Sequence, residues 1–83
     1  MAKEKKEMIN LPPYLDDSYV LLPRDRYDCC IVGYTDTKEI VYSYSKIIEL
    51  LEELDGMTND EAIDFFYYNM NDVPVIYVFP IEN

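Results

Sequence analysis

Val41 to Met70 reads VYSYSKIIELLEELDGMTNDEAIDFFYYNM, and this stretch decides the fold. Apolar side chains fall at Tyr44, Ile47, Ile48, Leu51 and Leu54. Their spacing makes one stripe along a helix. Ser43 precedes the stripe and is placed to accept from the unsatisfied amides of the first turn. Asp55-Gly56 should end the helix, because glycine takes the left-handed position without a Cβ penalty. Met57 then folds back on Leu51. Thr58-Asn59-Asp60-Glu61 forms a capping box, with the Thr58 hydroxyl on the Glu61 amide and the Glu61 carboxylate on the Thr58 amide. Ile63, Phe66, Tyr67 and Met70 supply a second helical stripe. Two capped helices with so short a link should be antiparallel neighbours.

Outward from this pair, the flanks read as strands. Tyr27 to Tyr34 (YDCCIVGY) is apolar on both faces at its centre, which predicts an interior strand. Gly33 suggests a bulge. Thr35 to Lys38 is a turn, and Glu39 to Tyr42 returns as a second strand. Val73 to Phe79 (VPVIYVF) predicts a third, with Pro74 tolerated near its start. The expected fold is α+β, β-β-α-α-β. Its sheet order should be 2-1-3, with the last strand antiparallel to the second and both helices on one face. A 1-2-3 meander is the alternative. Residues 27–83 form one domain and residues 1–26 an extended arm. Met1 to Asn10 reads as a charged leader, which should be mobile. Tyr19 to Leu22 packs on the domain or adds an edge strand.

The 83 residues carry a net charge of −10, unevenly placed. Residues 1–46 hold seven basic and eight acidic side chains; residues 47–83 hold nine acids and no Lys or Arg. Such asymmetry bears on association rather than fold. Direct nucleic-acid binding is disfavoured, because phosphate contacts need Lys and Arg. No apolar run approaches membrane-spanning length. The start MAKEKKEMIN lacks the apolar segment of a secretory leader, which points to a cytoplasmic protein. Cys29 and Cys30 are adjacent, so a mutual disulfide would be strained. They read as reduced thiols.

Catalysis finds little support. There is no histidine, so a Cys/His zinc site is excluded and neither thiol has an imidazole base. Asp55 to Glu61 fails as a calcium loop: counted from Asp55, Met57 stands at position 3, where an oxygen ligand is needed, and Asp60 at position 6, where glycine is needed. Carboxylate pairs such as Glu52/Glu53 sit on expected solvent faces, without the burial that tunes catalytic acids. The chain should be non-enzymatic and without a cofactor.

Tyr42-x-Tyr44-x-Lys46-Ile47-Ile48, then Asp55-Gly56-Met57-Thr58, Glu61 to Phe66 and Tyr68-Asn69 resemble a small-protein family common in phages and mobile elements. The resemblance covers about the central half of the chain. It implies a mobile-element setting and a helix–DGM–helix core, and it brings no catalytic residue.

An acidic face remains. Glu49, Glu52, Glu53, Asp55, Asp60, Glu61 and Asp64 gather around the helical pair, and Tyr67 and Tyr68 are placed as aromatic anchors. The bland reading is a solvated surface that keeps the domain in solution. The functional reading is a surface that docks on a basic patch of a host protein, imitating nucleic-acid phosphates. That would suit a phage inhibitor of a host nucleic-acid-handling or defence complex, of anti-CRISPR type. The rival is an assembly module that homodimerises through a sheet edge or a tyrosine-rich face.

Overall fold

The computed structural model describes residues 10–15 and 18–81. The charged leader, apart from Asn10, lies outside them. The protein is a small α+β fold. A short helix α1 (Arg24–Tyr27) is followed by the hairpin strands β1 (Ile31–Tyr34) and β2 (Ile40–Ser43). Helices α2 (Tyr44–Asp55) and α3 (Asn59–Asn69) come next, and strand β3 (Ile76–Val78) completes the sheet. Two 3₁₀ turns, Pro13–Leu15 and Asp28–Cys30, lie before the sheet.

The helical pair forms as its capping residues dictate. The Ser43 hydroxyl accepts from the Lys46 amide. Gly56 is left-handed at φ 67°, and its amide and that of Met57 both return to the Leu51 carbonyl. Thr58 Oγ1 takes the Glu61 amide at 3.2 Å, and Glu61 Oε1 takes the Thr58 amide at 2.9 Å. Gly56→Val should therefore cost about 1–2 kcal/mol, because a β-branched residue resists that backbone region. Thr58→Ala should cost about 1 kcal/mol. Urea midpoints matching the parent would contradict both.

The sheet corrects the expected order. It is β1-β2-β3, not 2-1-3, and β3 is parallel to β2 rather than antiparallel. The central strand is β2, because its Ile40 and Tyr42 are the fully buried pair. The segment 70–75 carries the chain to the starting end of β2, so β3 enters with Ile76 beside Val41. The Tyr77 hydroxyl donates to the Met70 carbonyl at 2.7 Å and ties that segment down.

The expected first strand is only half present. Pro23 precedes a helical turn, and Arg24 reaches Asp28 four residues on, with Nε 3.2 and 3.0 Å from the two carboxylate oxygens. That i,i+4 pair favours helix over strand. The chain straightens only at Ile31, and a bulge follows between Ile31 and Gly33. The last strand is likewise shorter than Val73 to Phe79.

Helices α2 and α3 pack on the sheet face that carries Ile40 and Tyr42, around Ile47, Leu51, Ala62 and Phe66. Leu15 and Leu21, upstream of α1, are buried in the same core. The Leu21 amide donates to the buried Tyr42 hydroxyl at 2.8 Å. The upstream segment is further tied by Tyr14 to Tyr34, hydroxyl to hydroxyl at 2.7 Å. The opposite sheet face bears Val41, Ile76 and Val78, and no helix among the described residues covers it.

Candidate functional site

On α3, Asp60, Glu61, Asp64, Tyr67 and Tyr68 fall within about a third of the helix circumference at about 100° per residue. All five are exposed. The helix carries no Lys or Arg. Its N-terminal placement of Asp60 and Glu61 is favourable in its own right, since acids suit the positive end of the helix dipole.

The two tyrosines differ. Tyr68 is 91 % exposed, whereas Tyr67 is 50 % exposed and backed by other rings. Tyr67 meets Phe66 edge-on with centroids 5.0 Å apart, and Tyr44 at 6.4 Å. Phe79 lies 4.5 Å from Tyr44 and completes an aromatic ledge at the end of the sheet. Rings held this way lose little freedom on binding. Beneath them, burial pushes the Tyr77 phenol up to about 12 and raises Tyr42 as well. Both phenols stay neutral at physiological pH and serve as hydrogen-bonding core residues.

An open groove of about 780 Å³ runs along α3. Glu61 and Asp64 stand on it with Met57, Phe65, Tyr68 and Asn69. A second, smaller cleft of about 280 Å³ opens between α3 and the segment before α1. Val20, Leu22, Tyr27, Met70 and Val73 line it, together with Phe65 and Asn69, which also border the groove. The Asn69 side-chain amide donates to the Phe65 carbonyl at 3.0 Å and fixes this shared ridge.

The remaining acids are dispersed. Glu49 and Glu53 border a separate cleft of about 220 Å³ with Lys46, Leu50 and the two cysteines. Glu52 Oε2 accepts from the Asn59 side-chain amide at 2.8 Å, across the link between the helices. Asp55 Oδ2 lies 2.5 Å from Arg26 Nη2. That contact is an ion pair, and the Asp55 carboxylate beside it raises the Arg26 pKa. Asp55 is thus already matched to a cation, and Glu61 shares its carboxylate with the cap. Asp60, Asp64, Tyr67 and Tyr68 are the expected contact residues that stand together on one face.

Phe65 and Asn69 carry no local signal for this cleft, whereas the apolar run Tyr19 to Leu22 points to packing on the domain, where Leu21 is buried. Their partnership arises from contacts between distant parts of the chain. The cysteines lie in the 3₁₀ turn rather than on a strand, with their sulfurs 4.0 Å apart. That is far beyond a disulfide bond length of about 2.05 Å. Cys30 is fully buried and Cys29 partly so. Among the described residues, no three His, Cys, Asp or Glu side chains converge to hold a metal ion. No helix among them is long and apolar enough to cross a membrane.

Comparison of the chain with protein-family models, with curated proteins and with solved structures gives no match.

Proposed function

We propose that this protein is a non-enzymatic binding protein that docks the acidic, tyrosine-bearing face of α3 on a basic protein surface. The observation that carries the reading is the convergence of Asp60, Asp64 and the ring-backed Tyr67 with the exposed Tyr68 on a helix without bases. Carboxylates there speed encounter with a cationic surface, and aromatic rings anchor the contact once made. In the finer form of the proposal, the partner is a host nucleic-acid-handling or defence complex in the cytoplasm. The protein then occupies a phosphate-binding surface, as an anti-CRISPR-type phage inhibitor would. The excess of acids and the resemblance to phage proteins support that form.

The test is a binding titration against a partner captured from host lysate, at low and high salt. Asp60→Lys with Asp64→Lys should weaken binding by about tenfold or more and flatten its salt dependence. Circular dichroism and a urea midpoint serve as folding controls. Unchanged affinity in the folded double variant would refute the reading.

A second reading has its own observation. The outward sheet positions Val41, Ile76 and Val78 are uncharged in a chain of net charge −10. Two copies that repel elsewhere can meet at such a face, as an assembly module would require. Self-association there would persist at high salt, unlike the charged contact.

A further inference from the structure

We infer that the partner presents a short cationic segment bearing one large apolar side chain, which enters the cleft between α3 and the Val20–Leu22 segment while its Lys or Arg neighbours lie along Asp64 and Tyr68. The inference rests on the docking reading above and specifies what that face recognises.

Three features carry it. The cleft is apolar, walled by Val20, Leu22, Tyr27, Met70 and Val73. Its volume of about 280 Å³ falls just below the usual range for drug-sized ligands, and it suits a single inserted side chain. Across the Phe65–Asn69 ridge lies the groove that carries Glu61, Asp64 and Tyr68. An occupant that spans the ridge meets apolar chemistry on one side and negative charge on the other. The residues that line the groove include no Lys or Arg to meet that charge. The complementary ligand is therefore cationic. A second copy of this chain, with net charge −10, is a poor match for the groove. A cation over the Tyr68 ring gains from the ring quadrupole as well as from Asp64. A flat phosphate-binding surface would use the acids and leave the cleft empty; a segment with an apolar anchor uses both.

The experiment titrates the isotopically labelled full chain with two synthetic peptides, Lys-Lys-Leu-Lys-Lys and Lys-Lys-Ala-Lys-Lys, and reads backbone amide shifts. The leucine peptide should bind about tenfold more tightly, from burial of one side chain. It should shift Leu22, Val73 and Met70, while the alanine peptide shifts only residues around Asp64 and Tyr68. Leu22→Asp changes a cleft wall that is 74 % exposed, so the fold should stand. It should erase the leucine advantage and bring the affinity ratio towards one. Equal affinities in the parent chain, with the α3 amides shifting alike, would overturn the anchor and leave the acidic-face reading intact. No binding of either peptide would overturn both. The chain's own leader carries Lys3, Lys5 and Lys6 beside Met8 and Ile9. Ile9→Asp should leave the cleft resonances in place when no peptide is present. Their movement would put the leader in the cleft and overturn the assignment to a partner.

Discussion

Phe66→Ala should lower the unfolding free energy by about 3–5 kcal/mol, the usual loss for an aromatic residue truncated in a packed core. Phe66 is fully buried and stands at the centre of the aromatic cluster. Tyr77 meets it edge-on at 4.7 Å from the sheet, and Tyr44 at 4.9 Å from the start of α2. Removing the ring leaves a cavity between three elements that are covalently remote. They cannot all close on it, so little of the loss is recovered. Small domains hold about 5–15 kcal/mol in total, so the variant would sit close to unfolding. The same substitution takes away the support of Tyr67, so binding should fall even where folding is restored by an osmolyte. Urea denaturation followed by far-ultraviolet circular dichroism checks the first effect. A loss below about 1 kcal/mol would show that the cluster is loosely packed.

The second large effect is expected at Arg24. Asp28 is a buried carboxylate, at 0 % exposure, and Arg24 meets it through Nε and Nη2. The same contact raises the Arg24 pKa, with the hydrogen bond to Asp28 as the leading cause. Arg24→Met keeps the aliphatic stem and removes the fork. It should cost about 3 kcal/mol near neutral pH, because a buried charge loses its main counter-ion. Arg24→Lys should recover only part, since an ammonium cannot present two parallel donors. Pairing Arg24→Met with Asp28→Leu should be milder than the single change, because an apolar pair has no charge to desolvate. Denaturation of all four members of the cycle gives the coupling. Additive losses would mean that the pair contributes nothing specific.

The contrast between these two sites shows what the sequence made legible. Phe66 belongs to a helical stripe, and the start of its helix is announced by Thr58 and Glu61, three positions apart. Ser43, Gly56, Thr58 and Glu61 act locally, so they could be read locally. The Arg24–Asp28 pair is also local, but four helical residues make a weak pattern beside the apolar run that follows. The apolar run suggested strand, and the ion pair prevailed. The strand order was not legible. Each strand has only three or four residues, and the choice of central strand depends on what Tyr42 meets from far along the chain. The acidic face was legible as charge and not as geometry. Asp55 finds Arg26, Glu52 finds Asn59, and Glu61 turns back to its own cap. Asp60 and Asp64 stay exposed together on α3, and the cleft beside that helix is closed by the upstream segment.

Ser43 is both the last residue of β2, paired with Val78, and the cap of α2. Strand therefore passes into helix with no linker between them. A one-residue slip of β2 would turn Ile40 and Tyr42 away from the core and dismantle the helix start in the same step. The two elements must move as one rigid lever. Exchange of segments between copies needs a loop that can straighten, and this junction offers none. Among the described residues that follow β2, the chain could open at the Gly56–Thr58 link or along residues 70–75. Shortening either connection should favour exchange of segments between copies of the chain.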